Sequence, residues 1–238
     1  MRSNDLRRWA LATLLAAATA LAAVPAAAAP VAGGGWELAY QQVDVSALND
    51  AVGSKYPSLR GSMLIFGGGG MGPLPVGDGS WTLGGFGAGG QEEHAEGGKL
   101  TRLALGYGGV RVGYARPLTE RLTFDAGLGL AVGGMTLTVV EHAPSSVEEG
   151  LNEPGEATFN RLLVLVMPEA GLTLSLTPVT HLRLAAGYTY DPGLGAWHNI
   201  VGTNIGHDPA VRASGLRVGL SLVFGAELEM GDDGSAAY

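Results

Sequence analysis

From residue 35 onward, large apolar side chains alternate with small or polar ones. That period of two restricts the chain to strands with two chemically different faces. The clearest run sets Leu122, Phe124, Ala126, Leu128, Leu130 and Val132 against Thr123, Asp125, Gly127, Gly129, Ala131 and Gly133. A second sets Leu216, Val218, Leu220, Leu222 and Phe224 against Gly215, Arg217, Gly219, Ser221 and Val223. A third sets Leu182, Leu184, Ala186, Tyr188 and Tyr190 against Arg183, Ala185, Gly187 and Thr189. A two-sheet sandwich buries its large apolar face against the other sheet. A membrane barrel turns that face to lipid and keeps small and polar groups in its lumen. Alternation alone fits both.

The connections separate them. Strands are predicted at 35–41, 61–67, 80–88, 99–115, 121–139, 158–176, 180–190 and 211–224. Connections 42–60, 89–98, 140–157 and 191–210 are long, whereas 68–79, 116–120 and 177–179 are shorter. In a meander, alternate connections fall at the same end, so every long loop gathers on one side. Outer-membrane barrels have that asymmetry, and a sandwich has no reason for it. The expected fold is therefore all-β, a single up-and-down antiparallel transmembrane β-barrel of about eight strands. Trp36, Trp81, Tyr114, Phe124 and Phe224 fall near the short-turn end and Tyr40 and Tyr190 near the other, as interfacial aromatic girdles require. Two features fit less well: the first strand is short, and Gly108-Gly109 breaks the phase of the fourth, as a bulge would.

Residues 1–29 read as a cleavable signal peptide. Arg2, Arg7 and Arg8 precede an Ala/Leu-rich core from Trp9 to Val24, followed by Pro25 and an alanine box. Ala26 and Ala28, or Ala27 and Ala29, suit the small positions before the cut, and the second choice leaves Pro30 directly after it. The alternative is an uncleaved anchor, because Trp9–Ala29 is nearly long enough to span a bilayer. The predicted layout is signal peptide 1–29, barrel 35–224 and tail 225–238. Glycine makes up 40 of 238 residues without a collagen period. Such enrichment inside apolar runs points to bends and close backbone approach. There is no cysteine, so disulfides and thiolate metal sites are excluded. The net charge of −8 becomes −10 once the leader's +2 is removed, which disfavours nucleic acid as a partner.

The last predicted strand carries a further signal. Arg217, Gly219, Leu222 and Phe224 place a polar residue, a glycine two on, and apolar or aromatic residues five and seven on. This resembles the assembly signal that ends bacterial outer-membrane barrels. The chain resembles small eight-stranded barrels of the OmpA, OmpX and OmpW type over residues 35–224, and departs from them in its tail. The resemblance implies an outer-membrane location, with outer-membrane lipid and the barrel-assembly machinery as partners.

Candidate chemistry is sparse. Gly67, Gly69 and Gly72 match a dinucleotide-loop spacing, but Pro73-Leu74-Pro75 follows where a helix must open, so a glycine turn is the better reading. Strand phase puts Arg111, Asp125, Glu169, Arg183 and Arg217 on the small-residue face at overlapping depths. Lone charges in a narrow lumen are costly, so the five are expected to bond mutually, with the surplus arginine reaching water, sharing a carboxylate or pairing with Glu37. Such a cluster either plugs the barrel or lines a narrow pore. The long loops hold Glu92-Glu93-His94-Ala95-Glu96, Glu141-His142, Glu148-Glu149, His198 and His207-Asp208, without a recognised metal-ligand spacing. Residues 44–52 suggest a loop helix with Asp44 as N-cap. Ser145, Ser146 and His142 share one loop and are the sole nucleophile–base candidate.

The expectation is a non-enzymatic outer-membrane barrel without cofactor or metal, structural or surface-interacting, with a plugged, salt-bridged lumen. The partner of its outer loops is unspecified by the sequence. The alternatives are a narrow pore for small solutes, or a secreted β-sandwich or lipocalin-like binding protein.

Overall fold

The structure, a computed structural model, describes residues 31–74, 76, 80–142, 155–227, 229–230 and 236–237. The predicted signal peptide, Ser145 and Ser146 lie outside these residues. Seven strands follow in sequence: β1 (Val31–Gln42), β2 (Ser62–Pro73), β3 (Trp81–Glu96), β4 (Lys99–Thr119), β5 (Leu122–Val140), β6 (Glu156–Thr177) and β7 (Thr180–Thr189). Two three-residue strands, β8 (Trp197–Asn199) and β9 (Asn204–Gly206), precede β10 (Gly215–Glu227), and a helix α1 (Ser46–Val52) joins β1 to β2. Strands β1 to β7 pair antiparallel in chain order, and β10 pairs with both β7 and β1. The sheet closes into an eight-stranded up-and-down barrel, with the β8–β9 hairpin added to the upper edge of β6.

Closure has a measurable stagger. Passing between paired residues from Thr180 through Phe224, Gly34, Gly70, Gly85, Val110, Leu130 and Val166 returns to the β7 chain at Tyr190, ten residues further on. Eight strands with that shear tilt by about 41° on a backbone radius of about 8 Å. Each residue then adds about 2.5 Å of height.

The eight predicted strands are all present, and five details differ from expectation. Glycines 33–35 are strand, so β1 has twelve residues and is not short. Residues 89–98 are not a loop: β3 and β4 continue through them and turn on Gly97 and Gly98 alone, both at positive φ (58° and 78°). Gly108 and Gly109 pair in register with Val132 and Ala131, so there is no bulge there, and the register shift lies between Pro117 and Thr119. Helix α1 begins at Ser46, and Asp44 accepts from the Ser46 hydroxyl at 2.6 Å without being the N-cap residue. At the lower end β2 runs on to Pro73, leaving a shorter turn than predicted.

The apparent break in β4 has a physical cause, because the apolar face changes sides along the strand. In the lower half Val110, Val112 and Tyr114 point outward. In the upper half Leu103, Leu105 and Tyr107 point inward and are buried. The same exchange occurs on β5 and β6, where Met135, Leu137, Leu163 and Leu165 face in. Outside them stand Thr136, Arg102, Glu93 and Asn160, with Thr136 donating to Asn160 at 2.8 Å and Arg102 paired to Glu93 at 2.6 Å. The hydrophobic core thus fills the upper lumen, and Val43, Leu48 of α1, Leu59, Trp197 and Val211 cover it from the loops.

Below that level the outside is apolar. On β6 the outward apolar run from Leu174 to Leu162 covers twelve steps, about 30 Å of height, close to the thickness of a bilayer's hydrocarbon core. Trp81, Tyr114, Phe124 and Phe224 ring its lower edge, with Trp36 edge-on to Phe224 at 6.0 Å and Trp81 edge-on to Tyr114 at 5.5 Å. Tyr40, Tyr188 and Tyr190 mark the upper edge. Among the described residues no helix is long and apolar enough to cross a membrane.

Leu163→Ala, which empties a fully buried upper-lumen position, should lower stability by about 2–5 kcal/mol in urea unfolding from bilayers. Asn160→Ala on the outer face of the same strand should lower it by no more than about 1 kcal/mol. Equal losses at the two positions would contradict the assignment of faces.

Candidate functional site in the lumen

The strand phases bring all five predicted inward charges together at the level of the apolar belt. Asp125 accepts from Arg111 Nη2 at 2.5 Å and from Arg183 through Nε at 3.0 Å and Nη2 at 2.6 Å. Glu169 meets Arg183 Nη2 at 2.7 Å, Arg111 Nη1 at 2.9 Å and Arg217 Nη1 at 3.4 Å. The third arginine is balanced by Glu37, whose Oε1 lies 2.7 Å from Arg217 Nη2. Three cations therefore face three carboxylates, and each side chain is at least four-fifths buried. Neutral stoichiometry is what makes ions tolerable here, because each buried charge recovers its lost hydration from a partner.

Glycine makes the room. A Cβ on Gly171 would crowd Arg183 and Asp125, and one on Gly219 would overlap the Glu37 carboxylate. Gly219 belongs to the predicted assembly signal, as do Arg217, inside the lumen, and Leu222 and Phe224, on the outer face. Below and beside the cluster lies a cavity of about 80 Å³ lined by Gly33, Gly69, Gly84, Thr82 and Ser221. Above it Tyr107 donates to Gln41 at 3.0 Å, and the apolar core begins.

A second buried ion pair escaped the sequence reading. Arg161 on β6 pairs with Asp191, donating from Nη2 at 3.1 Å and 3.0 Å, with side-chain exposures of 3% and 1%. Arg161 also donates to the carbonyls of Gly195 (3.0 Å) and Val211. Asp191 accepts from the backbone of Gly193 (2.7 Å) and Ala213 (3.1 Å). Trp197 Nε1 adds a bond to the Pro209 carbonyl at 2.9 Å. Together these bonds fold segment 191–213 over the barrel mouth. The signal for Arg161 was available: it has the parity of Glu169 on one strand. Asp191, a loop residue, had no phase to reveal it.

The predicted acidic cluster at 92–96 is a strand end that fastens the neighbouring loop. Glu92 points in and accepts from the backbone of Arg60, Gly61 (3.0 Å) and Ser62 (3.3 Å), while His94 Nδ1 lies 2.7 Å from the Ser58 carbonyl oxygen. His198 sits on β8 and His207 just beyond β9. No three His, Asp or Glu side chains converge as a metal site among the described residues. At the lower rim the buried His181 places Nδ1 3.0 Å from Ser175 Oγ and Nε2 3.4 Å from the Gly225 carbonyl oxygen, a contact that ties β6 and β7 to the end of β10.

Asp125→Ala and Glu169→Ala should each destabilise the barrel by about 3–5 kcal/mol, because each strands buried guanidinium charge. The double change Asp125→Leu with Arg183→Met should lose less than the sum of its two singles. Arg161→Met should leave the barrel folded but expose segment 191–213 to protease, while the same segment in intact wild-type protein should resist cleavage.

No protein-family model matches the chain, and no curated protein matches it. Among solved structures it is similar to Ail, the attachment invasion locus protein of Yersinia pestis. In complex with the heparin analogue sucrose octasulfate, that protein shares 11% identity over 82% of this chain and 98% of its own, with a TM-score of 0.38. A second structure of Ail shares 13% over 83% and 95%, with a TM-score of 0.31. Outer membrane phospholipase A from Escherichia coli shares 10% over 82% and 98%, with a TM-score of 0.22.

Proposed function

We propose that the chain is a bacterial outer-membrane protein with a structural or surface-interaction role, its lumen closed to bulk solute flow. The observation that carries this is the exchange of faces along β4, β5 and β6. Where the outside is an apolar band of bilayer height the inside is ionic and small, and where the outside is polar the inside is a hydrophobic core. A barrel standing wholly in water has no use for the lower arrangement, and one wholly in lipid has none for the upper.

Outer-membrane lipid covers the belt between the aromatic rings. The upper end, with α1, the β8–β9 hairpin and the connections after β5 and β7, faces outward, and the short turns face the periplasm, in the usual sense of such barrels. The strand ending in Leu222 and Phe224 is the part offered to the barrel-assembly machinery. The barrel is not catalytic: the Ser175–His181 pair has its imidazole buried and turned to a backbone carbonyl, which suits a strand tie better than a general base. Two layers close the lumen, the six-charge cluster and the apolar core above it.

Fractionation should recover the mature chain in the outer membrane, with slower gel mobility after boiling. A soluble periplasmic monomer would overturn the proposal. Purified protein in planar bilayers should show no large, stable conductance, whereas such conductance would put the narrow-pore reading first. Tags inserted in segment 191–210 should be reached by antibody on intact cells and tags at 117–120 should not; the reverse pattern would invert the orientation.

A further inference from the structure

Strand pairing gathers a block of glycines on the outer face of the barrel, within the apolar band. Gly34, Gly70 and Gly85 lie side by side on β1, β2 and β3. One outward position higher, Gly68, Gly87 and Gly108 do the same on β2, β3 and β4. Above them come Gly89, Gly106 and Gly134 on β3, β4 and β5. Each row starts one strand further along, and at a tilt of about 41° that shift cancels the slant of the strands. The block is therefore a furrow about 9 Å wide and about 22 Å tall, running nearly parallel to the barrel axis. Trp36 and Phe66, 61% and 65% exposed, stand along one bank, and Val110 and Val132 along the other.

Barrel closure does not require glycine at most of the furrow's upper and central positions. A Cβ on Gly106 would meet nothing within 4 Å, and one on Gly85, Gly87 or Gly134 only a carbonyl oxygen at 3.7–3.8 Å. One on the inward Gly35 or Gly133 would instead overlap a carbonyl oxygen. The bare floor thus answers to something outside the wall. Lipid chains do not call for it, since they accommodate larger apolar side chains equally well, whereas a packed protein surface gains from close backbone approach.

We propose that the furrow and its aromatic bank form the contact between two copies of this chain in one bilayer. The proposal rests on the outer-membrane reading, under which both copies insert the same way up. Their two-fold axis then lies along the membrane normal, so their contact must run parallel to the barrel axis, as furrow and bank do. An axis between the two sets the bank of each copy into the furrow of the other, with Trp36 against Gly70 and Phe66 against Gly87. Covering the exposed parts of both rings and the floor beneath them removes about 500 Å² per copy, or about 1,000 Å² in all. That area is at the lower limit for a specific interface, so the pair forms between copies confined to a membrane and separates on dilution in detergent.

The chain has no cysteine, so Ser54→Cys in the exposed segment after α1 gives a single labelling site. Donor- and acceptor-labelled copies of the mature chain, refolded together into phosphatidylcholine vesicles, are read by Förster transfer. Transfer should saturate as the protein-to-lipid ratio rises and be competed away by excess unlabelled chain. Gly87→Leu and Gly106→Leu fill the furrow without crowding the wall, and each should weaken association by about tenfold or more. Ala186→Leu adds equal bulk to the outer face of β7, across the barrel from β3, and should leave association unchanged. Heat-modifiable mobility shows that each variant has folded. A folded chain that floats with the vesicles but gives only the transfer of random proximity would overturn the dimer and leave the membrane reading standing. A chain that does not float would overturn both. Undiminished transfer in both furrow variants would overturn the location of the contact.

Discussion

In a hydrocarbon medium a strand can leave no backbone N–H or C=O unpaired, and closing the sheet on itself is the sole β-solution. The remaining features of the molecule depend on that closure. Eight strands returning with a stagger of ten residues leave a lumen just wide enough for side chains to fill. Strands so tightly wound bring backbones close together, which accounts for part of the glycine content. A Cβ on Gly35 would overlap the Leu222 carbonyl oxygen, and one on Gly109 that of Leu130.

On the proposed membrane location, medium decides which face is apolar, and the medium changes with height. Exterior side chains at belt level then lose nothing by facing lipid, so burial alone cannot tell the inside from the outside. Charges supply that distinction: an inward Arg111 or Asp125 turned to lipid would lose its partners and lie in hydrocarbon, so a register slip that flips the strand becomes prohibitive. Above the belt the exterior is polar, and the ordinary rule of apolar inside returns with Leu103, Met135, Leu163 and Trp197. One continuous strand therefore obeys two opposite patterns, joined in β4 at Gly108-Gly109.

The eight strands and the lumen cluster were legible because both depend on parity alone. Asp125 and Arg183 each sit in an unbroken alternating run, and counting charges was enough to make Glu37 a candidate partner for the surplus arginine. The upper half was harder. Glu92, Glu93 and His94 resemble a solvated loop by composition, yet their alternation persists, with Glu92 turned in to three backbone amides and Glu93 turned out to Arg102. The lock between Arg161 and Asp191 joins a strand to an irregular loop thirty residues away, and such a pairing follows from tertiary packing and leaves no periodic trace. The two-residue turn at Gly97-Gly98 was hidden because the flanking acids masked where the strands end.

The central claim is that lipid surrounds the lower outer face while the same strands emerge into water above it. Power-saturation electron paramagnetic resonance of single spin labels in reconstituted vesicles tests it most directly. Labels at Leu128, Leu184 and Leu220 should be accessible to oxygen and shielded from a water-soluble nickel complex, and labels at Glu93, Arg102 and Asn160 should show the reverse. Nickel access at Leu128 and Leu184 equal to that at Asn160 would contradict a membrane-spanning belt and the division of the barrel built on it.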